Sequence, residues 1–183
     1  MGTITPIRRT SKAGHPYTIR PAYPDDAANL LVHLKMAAQQ SEHLLTEHDE
    51  FTMTEAEKRK WIQDHLDGPG NICLLAEAAG VIIASLGCEN GQRRRAAHRG
   101  TFGMAVLAEW RRQGVGSAML QCFLEWAESN PLIEKVGLGV FATNRAAIAL
   151  YEKCDFVEEG RLPREVKLGA EYVDVILMYR FVK

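Results

Sequence analysis

No stretch of this sequence approaches the roughly 18 consecutive apolar residues that a membrane-crossing helix needs. The first 16 residues carry Arg8, Arg9 and Lys12 but lack the apolar centre of a secretory leader. Charge of one sign is lacking as well. The 22 Lys and Arg residues face 23 Asp and Glu, and a formal net charge of −1 removes the broad attraction expected of a protein that works on nucleic acid or an anionic membrane. Cysteine is sparse: Cys73, Cys88, Cys122 and Cys154 lie far apart with no CxxC pair, and each falls in an apolar run. They read as small buried hydrophobes in a reducing compartment rather than as metal or redox groups. Internal repeats and low-complexity tracts are missing too. These absences predict a cytoplasmic protein whose function involves no nucleic acid, no membrane and no metal.

What is present fits one globular domain. The chain has 183 residues, 46% hydrophobic and 25% charged, enough to bury a sizeable core. Residues 1–16, with two prolines, two glycines and no periodicity, read as a flexible lead-in, and 17–183 as the domain. A short strand is expected at 17–20. After Pro24-Asp25-Asp26, Ala27, Leu30, Leu31, Leu34 and Ala38 recur at helical spacing. Thr54-Glu55-Ala56-Glu57 matches a capping box ahead of Trp61, Ile62 and Leu66, and Gly68-Pro69-Gly70 stops that second helix. Apolar runs at 72–78 and 81–88 flank Ala79-Gly80, a tight hairpin; Asn90-Gly91 predicts another, leading into a strand at about 97–107. From Gly114 to Ser129, Val115, Ala118, Met119, Cys122, Phe123, Trp126 and Ala127 give the most regular helical stripe in the chain. A strand at 134–141, a helix capped by Asn144, and a tail alternating through Val173, Val175, Leu177, Tyr179 and Phe181 complete the pattern. The predicted order is β-α-α-β-β-β-α-β-α-β-β, an α+β domain with a mixed, mostly antiparallel twisted sheet flanked by helices.

The chemistry concentrates at Arg111-Arg112-Gln113-Gly114-Val115-Gly116-Ser117, which follows a strand and opens a helix. First-turn amides have no partner inside the helix and sit at the positive end of its dipole, so they suit a phosphate. The two glycines let ligand oxygens approach the backbone, and the arginines add charge. A Walker loop and a dinucleotide Gly-x-Gly-x-x-Gly are both absent, so the phosphate ligand is of another kind. Taken alone, a Gly-x-Gly after a strand is also compatible with a tight helix entry.

Three segments together resemble the Gcn5-related N-acetyltransferase (GNAT) family over about 18–180. They are Tyr17-Thr18-Ile19-Arg20-Pro21-Ala22 with Asp25-Asp26-Ala27, the run from Arg111 to Gly116, and the run from Asn144 to Phe156. The second matches the family's Arg/Gln-x-x-Gly-x-Gly/Ala signature at Arg111, Gly114 and Gly116. The third is similar to Asn-x-x-Ala-x-x-Leu-Tyr-x-Lys-x-Gly-Phe, with Asp155 in place of the usual glycine.

The resemblance implies an acetyl-CoA-dependent N-acetyltransferase that acts on a primary amine of a small molecule or protein by direct attack in a ternary complex. A non-catalytic acetyl-CoA sensor is the alternative. Arg111, Arg112, Gln113, Gly114, Val115, Gly116 and Ser117 would hold the cofactor, joined by Asn144 and Ala147 and by backbone groups at Ala105 and Val106, where the family's strands splay apart to admit the pantetheine arm. Gly137 and Gly139, on the facing strand, fit a close approach or a bulge. Tyr151 would give a proton to the departing thiolate. The carboxylate that many relatives place on the strand at 101 is here Thr101, which leaves Glu89, His98 or a chain of waters as the base. Residues 41–54 and 161–172 would build the acceptor cleft, and a homodimer would match many relatives. His43 and His48 with Glu47 and Asp49 read as a solvated segment, as does Arg93-Arg94-Arg95.

Overall fold

The short apolar runs at 72–78 and 81–88 fold as strands, and the stripes that recur every third or fourth position fold as helices. In the computed structural model, which describes residues 2–183, strands β1 (Ile7–Thr10), β2 (Pro16–Pro21), β3 (Ile72–Ala78), β4 (Val81–Asn90), β5 (Arg99–Val106), β6 (Lys135–Phe141), β7 (Val157–Leu168) and β8 (Glu171–Phe181) form one sheet in the order β1-β2-β3-β4-β5-β6-β8-β7. Helices α1 (Ala27–Gln39), α2 (Glu55–Asp67), α3 (Val115–Ser129) and α4 (Arg145–Glu152) flank it. Every strand pair is antiparallel except β5 with β6. No helix among the described residues is long and apolar enough to cross a membrane.

The main core lies between the sheet and α3. Val115, Met119, Leu120 and Phe123 are fully buried there against Leu74, Leu86 and Val136. Truncating a buried aromatic such as Phe123 to alanine costs about 3–5 kcal/mol. A second cluster on the opposite face packs α1 and α2, through Leu30 and Ile62, on Leu75 and Ile82.

Most local signals read from the sequence are realised. Thr54 caps α2 by accepting from the Glu57 amide at 3.3 Å, while the Glu57 carboxylate accepts from the Thr54 amide at 2.8 Å. Ala79 and Gly80 both take positive φ, 48° and 82°, as a two-residue hairpin turn requires. Asp155 adopts φ 61°, so the turn before Phe156 keeps the left-handed conformation without a glycine.

Three expectations are corrected. The segment read as a loose lead-in contains β1, paired from Ile7 with Ile19 to Thr10 with Pro16; the residues are polar because β1 is an edge strand with little to bury. Asn90-Gly91 is not a two-residue turn: β4 ends at Asn90, β5 starts at Arg99, and residues 91–98 form a longer connection. Gly91 is kept instead by close approach, since a Cβ there would lie 2.3 Å from the Ala96 carbonyl oxygen. The tail alternates as expected, but both faces of β8 are used. Val173 and Val175 pack on Phe141, while Ile176 and Met178 enter the main core and Phe181 is exposed.

Candidate active site

The parallel ladder between β5 and β6 covers only Arg99–Thr101 with Lys135–Gly137 and then stops. Beyond it β5 continues to Val106 on the arm of β4, and β6 continues to Phe141 on the arm of β8. Two adjacent strands thus diverge into a wedge in the middle of the sheet, and their inward backbone groups have no ladder partner.

The register identifies those groups. Leu107 N donates to Ile83 O and Gly91 N to Arg99 O, so the odd-numbered residues of β5 exchange hydrogen bonds with β4. Ala105 belongs to that set, opposite Ser85. The amide and carbonyl of Ala105, a residue expected to offer its backbone to a ligand, therefore face β4. The amides and carbonyls of Phe102, Met104 and Val106 face the wedge, and of these the Val106 carbonyl already accepts from Arg111 Nε at 2.9 Å. On β6 the same parity, set by Ala142 N to Asp174 O and Val182 N to Glu134 O, turns Gly139 and Phe141 toward the wedge. Gly137 and Gly139 are small because β8 presses on them: a Cβ would meet the Met178 carbonyl or Val175 Cγ1 at 3.2 Å. No bulge interrupts β6 against β8.

The start of α3 closes the end of the wedge. Gly114 caps the helix with φ 88°, no side chain caps it, and a Cβ on Gly114 would have no heavy atom within 4 Å. Among the described residues nothing accepts from the Val115, Gly116 or Ser117 amides, the arrangement that a diphosphate needs. A Cβ on Gly116 would lie 3.5–3.8 Å from Leu150 Cδ2, Met104 Cε and Val106 Cγ2, so this residue joins β5, α3 and α4 in one place.

The flanking residues divide between support and availability. Arg111 is largely committed to the protein, its Nη1 donating to Gln40 O at 3.0 Å beside the bond to Val106. Gln113 accepts from the Lys12 and Ala13 amides, both at 3.0 Å, through its carbonyl and its Oε1, so the turn between β1 and β2 braces the loop. Arg112, exposed and at φ 58°, and the exposed Ser117 make no such commitment among the described residues. Asn144 Oδ1 caps α4 by accepting from the Ala147 amide at 3.2 Å, which leaves its amide nitrogen for another partner.

Tyr151 on α4 packs edge-on to Phe102, 6.0 Å between centroids, beside the point where β5 and β6 part. Burial pushes its phenol up to about 12, which keeps it protonated as a donor. The hydroxyl has no hydrogen-bond partner among the described residues, yet the one sealed unpartnered side-chain atom among them is His65 Nε2. The Tyr151 hydroxyl therefore retains access to solvent.

Of the candidate bases, Glu89 lies directly across from Thr101 on β4 and is half exposed. His98 precedes β5 on the exposed connection, at the strand end remote from α3. His43 stands edge-on to Phe141 at 6.4 Å, and Glu42, Glu47, His48, Asp49 and Glu50 are exposed. No cluster of three or more His, Cys, Asp or Glu side chains suited to a metal occurs among the described residues. Sequence reasoning missed Met104 and the inward amides of the wedge; the parity of strand pairing identifies them, and parity is invisible until the register is known.

A sequence model described as "Acetyltransferase (GNAT) family" matches residues 37–156. The chain is 32% identical over 120 residues to the L-amino acid N-acetyltransferase AaaT of Escherichia coli strain K12, covering 66% of this chain and 74% of that protein. An acetyltransferase of the GNAT family from Streptococcus pneumoniae superimposes with TM-score 0.88 at 28% identity, covering 91% of this chain and 99% of the other. The fold is also that of yncA from Salmonella typhimurium, solved with its cofactor acetyl-CoA, with TM-score 0.80, 17% identity, and 91% and 94% coverage.

Proposed function

The chain belongs to the acetyltransferase (GNAT) family, and from that premise we propose that it transfers the acetyl group of acetyl-CoA to a primary amine of a small molecule or protein, by direct attack in a ternary complex. The observation that carries the reading is the wedge between β5 and β6, ending at the uncapped amides of α3. A pantetheine arm that enters such a wedge adds to β5 as a strand would, through the inward groups of Met104 and Val106. Its diphosphate meets the Val115, Gly116 and Ser117 amides with Arg112 beside them. A backbone N–H on β5 polarises the thioester carbonyl, and Tyr151 returns a proton to the thiolate. On this reading the amine enters from the face of α1 and α2, between the hairpin of β7 and β8 and the loop at 41–54, whose His43 stands edge-on to Phe141 of β6.

The relative from Escherichia coli is named for a transferase activity, which supports catalysis over a role as an acetyl-CoA sensor. The test is thiol release from acetyl-CoA against amino acids, polyamines, amino sugars and peptide N-termini. Turnover with at least one amine, reduced ten-fold or more in Tyr151→Phe at unchanged acetyl-CoA affinity, is expected. Tight acetyl-CoA binding with no thiol release on the whole panel would replace the enzyme by the sensor.

A further inference from the structure

Thr101 occupies the last ladder step before the sheet opens, and its hydroxyl cannot accept a proton at neutral pH. Its partner on β4 is Glu89, in a pair of the same parity as Gly91 with Arg99, so the two side chains leave the sheet together on one face. That face is the one covered by α1 and α2, because Ser85 on it meets His33 and Gly87 meets Trp61. Thr101 and Gly103 are exposed although β5 is a central strand, and a Cβ on Gly103 would have nothing within 4 Å. A trough of small residues therefore leads to the wedge, with the Glu89 carboxylate, 56% exposed, at its side.

Behind Glu89 the packing is closed. Trp61 Nε1 donates to Glu89 Oε1 at 3.0 Å, and the His65 ring lies 3.7 Å from the Trp61 ring. His65 Nδ1 is 2.8 Å from the Trp61 carbonyl oxygen. A carbonyl only accepts, so Nδ1 carries the proton and Nε2 of the neutral ring is a bare acceptor. That Nε2 is sealed from solvent without a hydrogen bond and faces Glu89 Oε1 at 3.5 Å. Two acceptors confront one another, and the arrangement is short of one proton.

We propose that Glu89 and His65 act as a joint proton acceptor for the incoming amine, Glu89 as the catalytic residue and His65 as the positioning residue behind it. The inference rests on the acetyl-transfer reading above. A substrate ammonium in the trough gives its first proton to Glu89, where it turns the contact with His65 Nε2 into a hydrogen bond. The freed amine lone pair forms the C–N bond to the acetyl carbon, and the C–S bond breaks with its electrons on sulfur. Tyr151 protonates the thiolate and is reprotonated from solvent; the second nitrogen proton and the one held by the pair leave to solvent, for a net release of one proton per ammonium acetylated. The charged groups facing the pair are Lys58 and Asp64 on α2, with the Cys73 thiol on β3 beyond Lys58; on β5 the uncharged Thr101 lies opposite Glu89, and the exposed Arg99 is next on the same face. Burial holds His65 below its usual range, Lys58 pushes the same way, and Glu89 and Asp64 oppose it, so the resting ring is neutral. Once transferred, the proton lies between Glu89 Oε1 and His65 Nε2.

Two measurements on the full chain test this. In thiol-release assays, Glu89→Gln, which keeps an acceptor for Trp61, is expected to lower kcat about 100-fold with acetyl-CoA affinity unchanged. His65→Phe, which keeps the stacking, is expected to move the acid limb of kcat/KM to lower pH. Wild-type kcat in Glu89→Gln, or an acid limb in His65→Phe that stays in place, overturns the proposal. Nitrogen NMR of the His65 ring without any substrate reads the pair independently of turnover. The Nδ1–H tautomer is expected, with a titration that moves to lower pH in Glu89→Gln; an Nε2–H tautomer or an unmoved titration refutes the pair. A wild-type protein that turns over no amine would instead sink the acetyl-transfer reading.

Discussion

His33 on α1 and Ser85 on β4 are joined across the interior, Nε2 to the hydroxyl oxygen at 3.0 Å, while His33 Nδ1 lies 3.1 Å from the Ile82 carbonyl oxygen. The carbonyl fixes the proton on Nδ1, so Nε2 accepts from Ser85 and the ring is neutral. Both hydrogen bonds tie α1 to the strand that forms one arm of the wedge.

That neutrality makes His33 a source of acid sensitivity. Burial lowers its pKa from 6.5 to about 4. Between those values the unfolded chain binds a proton that the folded chain refuses, so the stability His33 contributes is intact above pH 6.5 and declines as pH falls toward 4. The full difference corresponds to about 3 kcal/mol. Urea denaturation at pH 7.5 and pH 5 is expected to show a loss in the wild type that shrinks in His33→Gln. An equal pH dependence in both proteins would exclude His33 as its origin.

The two glycines at the start of α3 separate backbone strain from ligand contact. Gly114 sits at φ 88°, where an alanine costs about 1–2 kcal/mol whatever the space around it. Gly116→Ala places its Cβ at 3.5 Å or more from every neighbour, an ordinary contact. Thermal denaturation is expected to show a clear fall in Tm for Gly114→Ala and almost none for Gly116→Ala. Calorimetry with acetyl-CoA is expected to show at least ten-fold weaker binding for Gly114→Ala; undiminished affinity would detach the diphosphate from this helix start.

Arg111 has a different character from the rest of its motif, because its guanidinium straps the end of β5 to the end of α1. Arg111→Ala is expected to lose about 2 kcal/mol of stability even without ligand, a fall of about 4–8 °C in Tm. Arg111→Lys, which can keep one of the two bonds, should recover part of it. A ligand-free Tm equal to wild type would place the role of Arg111 on the cofactor instead.

The local rules carried far because the relevant forces are local. A threonine three residues ahead of a glutamate caps α2, an asparagine three residues ahead of an alanine caps α4, and the stripe from Val115 to Ala127 buries one face of α3, each within a turn or two of chain. The polar first strand was illegible for the same reason. Its evidence is the pairing with β2, not its own residues.

The amino-acid sequence by itself determined the element types, the helix starts and the loop that could receive an anion, since these depend on periodicity, side-chain caps and glycine. Only the folded sheet decided which backbone groups are unpaired: a strand exposes its odd or its even amides according to register, and that register is set by pairing with β4 for β5 and with the distant β8 for β6. The same holds for the face opposing Glu89 to His65. One residue lies on a helix and the other on a strand, and no spacing along the chain tells that a buried ring nitrogen and a carboxylate oxygen point at each other.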